Sequence, residues 1–176
     1  MNTQSEPVAS GLQILFELIK SEGGQLIDGI MQLPPGVGTG YLQLLAPEAG
    51  LRLLVIHGSL RQELIIKRSA GDPQPQTLLI SFSAYDPPSD NPIRQLSSVQ
   101  ITANDIDLTT TLPAQTTLFI VAISIHKALL RQWLSPVEGT LPPVLTTHHP
   151  LVMETLQTPE IQRILTDLAR PRSKPY

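Results

Sequence analysis

The chain has 176 residues, 41% hydrophobic and 15% charged, with a net charge of −3 and no cysteine. A chain of this length fits one domain that buries roughly 70% of its unfolded surface, so it folds without a metal or disulfide staple. The missing cysteines exclude disulfides and thiolate chemistry, and the low charge fits an ordered core with some apolar surface left for a partner.

The first twenty residues carry Glu6 and Glu17 and no basic leader, so no signal peptide is expected. The longest apolar run, Leu118 to Ile125, is strand-sized and well short of the ~20 residues of a membrane span. A cytoplasmic protein without membrane contact is therefore expected. The one basic cluster, Arg170, Arg172 and Lys174, is short and set among prolines, which makes a poor DNA-binding stripe.

In chain order, Ser10 and Gln13 form an S-x-x-Q capping box, and Leu12, Leu15, Phe16 and Ile19 make one apolar helix face. Gly23-Gly24 ends that helix. Gln25 to Leu33 reads as one strand with Leu26 and Ile30 inward. Three strands follow, Tyr41–Ala46, Leu51–Ile56 and Leu60–Arg68, with turns at Pro47–Gly50 and at His57-Gly58-Ser59. Glycines 36, 38 and 40 lead into a strand and lack the Lys-Ser/Thr of a phosphate loop, so they read as a turn or bulge.

Further strands are expected at Gln76–Tyr85, Ser97–Thr102, Ile106–Leu112 and Thr117–Ile123, where Leu78, Ile80 and Phe82 alternate with Leu79, Ser81 and Ser83. Eight or nine strands suffice for a jelly-roll barrel. The period then changes. Ser124 is the expected cap of a helix carrying Ile125, Leu129 and Trp133, which Pro136 stops, and Pro150–Thr155 begins another. Thr158-Pro159-Glu160 opens a last helix, with Ile161, Ile164, Leu165 and Leu168 as its stripe.

No catalytic constellation stands out, and neither a metal nor a cofactor site is expected. His57 has no partner two residues away, Glu63 lies across a turn, and His148-His149 sit in a proline-bounded loop. Gly58-Ser59-Leu60-Arg61 is not a nucleophile elbow. Asp105 and Asp107 share a strand face but read as solubilising charges. Arg52, Arg61 and Arg68 fall in strands where alternation could turn them inward to a ligand anion, or outward to water or Glu63. A ligand pocket built on Arg52, His57 and Arg61 is the expectation. The stripe Ile161, Ile164, Leu165, Leu168 must bury itself on the barrel or on a second copy, and a C2 homodimer through it is expected.

The segment LPPGVGTGYLQLLAPEAGLRLLVIHGSLRQELIIKR at 33–68, FIVAISIHKALLRQWL at 119–134 and PLVMETLQTPEIQRILTDL at 150–168 together resemble the N-terminal sensor domain of AraC-type transcription regulators. The resemblance spans about Leu33 to Leu168. It implies a mainly β, cupin-like barrel with an N-terminal helix over 1–123, closing and dimerisation helices over 124–170, and a linker or chain end at 171–176. It further implies a non-enzymatic, homodimeric domain that senses an unidentified small-molecule effector in transcription regulation. DNA would be read by a helix-turn-helix domain absent from this chain. The rival readings are a small cupin enzyme with an atypical metal site at His57 and Glu63, and a standalone structural or protein-binding barrel.

Overall fold

The computed structural model describes residues 11–68, 77–86, 96–103, 107–134 and 152–168. Helix α1 (Gly11–Ser21) buries Leu15 and Ile19 and lays Phe16 beside them. It ends in a Schellman motif: the Gly24 N–H donates to the Ile19 carbonyl and the Gly23 N–H to that of Lys20, with Gly23 at φ 94°. Ser10, the expected cap, lies outside the described residues.

The segment expected as one strand is instead a hairpin, β1 (Gln25–Ile27) and β2 (Ile30–Gln32). Its two-residue loop is Asp28-Gly29, both at positive φ (50° and 78°), the conformation that suits the twist of a tight hairpin. Leu26, expected inward, is exposed, whereas Met31 is fully buried.

Strands β3 (Gly38–Glu48) and β4 (Leu51–Leu60) pair antiparallel over almost their whole length. His57-Gly58-Ser59, expected as a turn, continues β4, and the chain reverses at 61–63 before β5 (Leu64–Arg68). The glycines serve a close approach. Gly40 faces Gly58 across the pair, and a Cβ on Gly40 would stand 2.1 Å from the His57 carbonyl oxygen. A Cβ on Gly58 would meet the Thr39 carbonyl oxygen at the same distance.

The remaining strands are β6 (Thr77–Asp86), β7 (Leu96–Ala103), β8 (Leu108–Leu112) and β9 (Thr117–His126). Strand β9 runs through Ser124, so the boundary expected after Ile123 falls inside a strand. Helix α2 (Lys127–Leu134) begins two residues later than expected, and its cap is His126, whose Nδ1 accepts the Ala128 N–H at 3.2 Å. Leu129, Leu130 and Leu134 pack toward Leu78, Ala103 and Ile125, while Trp133, expected on that stripe, is exposed. Residues 152–156, expected as helix, are strand β10 (Val152–Leu156), zipped along β7 from Val152↔Thr102 to Leu156↔Ser98. The open backbone groups of β7 outweigh the weak local preference of Val-Met-Glu-Thr-Leu. Helix α3 (Pro159–Leu168) starts as read: the Thr158 hydroxyl accepts the Ile161 N–H and Pro159 takes the first turn.

The fold is mainly β. An eight-stranded antiparallel sheet has the order β1-β2-β3-β4-β9-β6-β7-β10, and β5-β8 form a separate ribbon. Alternation gives the large sheet two faces. Leu42, Leu54, Ile56, Leu118, Ile120 and Ala122 form one, packed with α1, Met31 and the ribbon residues Leu64, Ile66 and Leu112. We call it the inner face. Tyr41, Val55, Phe82, Phe119, Val121 and Ile123 form the outer face, against which α3 sets Ile161 and Leu165. Among the described residues no helix is long and apolar enough to cross a membrane.

Candidate functional site

The three residues expected to share a pocket are parted by the strand that carries them. Arg52 and His57 are five residues apart on β4, an odd spacing, so their side chains leave opposite faces. Arg52 is half-buried on the inner face, in register with Ser124. His57 is on the outer face, its ring 5.7 Å from that of Tyr41 and 6.1 Å from that of Phe119, its register partners on either side. Arg61 lies beyond the end of β4 in the reversal before β5. Nine residues of strand separate Arg52 from Arg61, roughly 30 Å at ~3.3 Å per residue, too far for one small molecule.

The inner face holds a different candidate. Its rows can be followed across the sheet from the register. Ile56 pairs Ile120, then Ser83 and Ser98 follow; Leu54 pairs Ala122, then Ser81 and Gln100; Arg52 pairs Ser124, then Leu79 and Thr102. Each row starts from β4 and crosses β9, β6 and β7. The first two pass from aliphatic to hydroxyl and amide side chains at β6, and the third keeps a polar residue on three of its four strands. The apolar half is covered by α1 and the β5-β8 ribbon. The polar half comprises buried Thr102 and Ser124 with half-buried Ser81, Ser83, Ser98, Gln100 and Arg52. Hydroxyls and an amide both donate and accept, and a guanidinium adds a permanent positive charge. Such a floor suits a polar small molecule better than an aliphatic one.

Gln157 fixes the edge of this floor. It is buried, and its Nε2 donates to the carbonyls of Ser83 and Ser98 at 3.0 Å each, tying the β10–α3 junction to β6 and β7. On the outer face, desolvation pushes the Tyr41 phenol above its ordinary pKa of 10.0, so it stays neutral beside the His57 and Phe119 rings.

The expected interface stripe divides in two. Leu165 is 6% exposed and, with Ile161, faces the sheet, whereas Ile164 is 57% and Leu168 38% exposed. Only the latter pair is offered to another molecule. His57 and Glu63 do not come together with a third ligating side chain, and no group of three metal-ligating residues occurs among the described residues. His148, His149, Asp105, the side chain of Arg68 and the basic cluster at 170–174 lie outside them.

The serines were visible in the sequence as an alternating series, but only as the polar half of it. Alternation says that Ser81 and Ser83 oppose Phe82 without saying which set faces the interior. No family model, curated protein or solved structure matches the chain, so a functional reading rests on this geometry.

Proposed function

We propose that the chain is the effector-sensing and dimerisation part of an AraC-type transcription regulator, built on a cupin-like jelly roll. The strand pairing supports that architecture. Pairs β4–β9, β5–β8 and β6–β7 are nested, the pattern of one long antiparallel ribbon folded at β6–β7. Strand β6 also pairs with β9, which rolls the ribbon so that β5–β8 leaves the large sheet and packs against its inner face. Rolling a ribbon in this way is how a jelly roll encloses its interior.

The observation that carries the functional reading is the hydroxyl-rich half of the inner face. Polar side chains turned toward an interior cost free energy unless something hydrogen-bonds them. A small polar effector on Ser81, Ser83, Ser98 and Gln100 would fill that role, beside the Arg52 guanidinium. Because Gln157 ties the same strands to the start of α3, an effector there would bear on the helix that presents Ile164 and Leu168. Regulation needs only that it bind one arrangement of that helix better than another. On this reading DNA is contacted by a helix-turn-helix domain outside the present chain.

A thermal-shift screen of neutral and acidic hydroxylated metabolites tests the site. A hit is expected to lose its effect in Ser81→Ala/Gln100→Leu, which removes donors without adding bulk. A full screen that shifts nothing, or a hit indifferent to that double variant, would refute it. Sedimentation tests the dimer: wild type is expected to self-associate at tens of micromolar and Ile164→Asp to remain monomeric. A monomeric wild type overturns that part.

A further inference from the structure

A cleft of about 580 Å³ opens where β3 begins and β4 ends, lined by Gly38, Thr39, Ser59, Leu60, Arg61 and Gln115. Thr39 and Ser59 are direct cross-strand partners, so their hydroxyls leave one face of the sheet side by side. Arg61 follows at the strand end, where its backbone N–H donates to the Val37 carbonyl at 2.9 Å and fixes the root of the side chain. The guanidinium is exposed, and among the described residues no carboxylate lies within ion-pair distance of it. No acidic side chain lines the cleft.

Gln115 completes the wall and carries a second, independent sign. It is a non-glycine residue at φ 55°, held there as its N–H donates to the Leu60 carbonyl at 2.8 Å, beside a bridge between Leu60 and Ala114. Backbone outliers of this kind persist only where the surroundings over-determine them, and they concentrate at ligand clamps. Here the constraint sets an amide side chain at the same opening as the arginine.

We propose that this cleft binds the oxyanion group, carboxylate or phosphate, of a small polar molecule. Arg61 supplies two parallel N–H donors to a pair of oxygens, the geometry its planar fork matches. Thr39, Ser59 and Gln115 supply the neutral donors for what remains. The site is separate from the hydroxyl-rich floor, which lies toward the opposite end of β4, and does not depend on the regulatory reading.

The test is an amide chemical-shift titration of the whole chain with inorganic phosphate and, in a second arm, citrate, at an ionic strength held constant with sodium chloride. Saturable shifts at Thr39, Ser59, Arg61 and Gln115 are expected in at least one arm, and the stronger arm identifies the oxyanion. Arg61→Lys keeps the charge and loses the fork, so binding should weaken about tenfold. Gln115→Gly relaxes the backbone while removing one donor and should weaken it about threefold. Arg131→Lys, on α2 at the far end of the sheet, should leave it unchanged. Both arms failing to saturate, shifts reproduced by chloride alone, wild-type affinity in Arg61→Lys, or an equal loss in Arg131→Lys would each overturn the proposal.

Discussion

Replacing Gly40 with alanine should be among the most damaging single-methyl changes available in this chain. The new Cβ would stand 2.1 Å from the His57 carbonyl oxygen and 2.5 Å from the Gly58 Cα, both backbone atoms that no rotamer change can move aside. Ordinary contact begins near 3.4 Å, so β3 and β4 must part by an ångström or more near the start of β3, three pairs into their ladder. An L residue at φ 116° adds backbone strain of about 1–3 kcal/mol. Overpacking adds about 1–3 kcal/mol more. A loss of about 2–6 kcal/mol follows from combining the two contributions, a large part of a typical folding free energy of about 5–15 kcal/mol. With a urea m value of about 2 kcal/mol/M, the unfolding midpoint should fall by about 2 M. Gly36→Ala is the matched control, with no atom within 4 Å of its new Cβ and no positive φ to strain, and should stay within about 0.5 kcal/mol of wild type. Superposable urea curves for the two variants would refute the close-approach account of Gly40 and Gly58.

Three further outcomes are expected. Leu165→Ala should cost about 2–4 kcal/mol in urea unfolding, because it opens a cavity against Val55 and Val121, while Ile164→Ala should leave the fold near wild type; equal effects would mean that α3 sits the other way round. Gln157→Leu strips two donors from the Ser83 and Ser98 carbonyls and should cost about 1–3 kcal/mol, with faster hydrogen exchange along β10 as the local readout. Two titrations have opposite signs. The raised Tyr41 phenol contributes stability that is complete below its ordinary 10.0 and is lost as pH climbs through the folded value, an alkaline limb that Tyr41→Phe should remove from pH-dependent melting. Glu160 is held low by its own backbone N–H and the Thr158 hydroxyl; its contribution is present above the ordinary 4.5 and fades as pH falls through the depressed value, which carboxyl NMR can follow.

Local rules served well where the chemistry was local. Gly23 at the helix end, Thr158-Pro159 at a helix start and the alternating strands expected at 76–85 and 117–123 each follow from a few neighbouring residues, and each is found, the last of them running on to His126. The reading failed where one residue type serves two purposes. Gly58 looked like a turn and is a mid-strand contact, whereas Asp28-Gly29 is a tight turn that was read as strand. The segment 152–156 became a strand because β7 offered it an edge, which its own five residues could not announce.

The candidate site was half legible. The sequence by itself determined a mainly β chain, the positions of most strands, the apolar stripe of α3 and the alternation of Ser81 and Ser83 with Phe82. Tertiary structure alone decided which way those faces turn. Helix α3 covers Phe82 and Val121, so the serines are left on the face that carries the core. The same packing divides the stripe into buried Leu165 and exposed Ile164, and sends Arg52, His57 and Arg61 to three separate places. Periodicity fixes which side chains share a face because it is a property of the backbone. What covers that face depends on elements far away in the chain, and no local pattern encodes it.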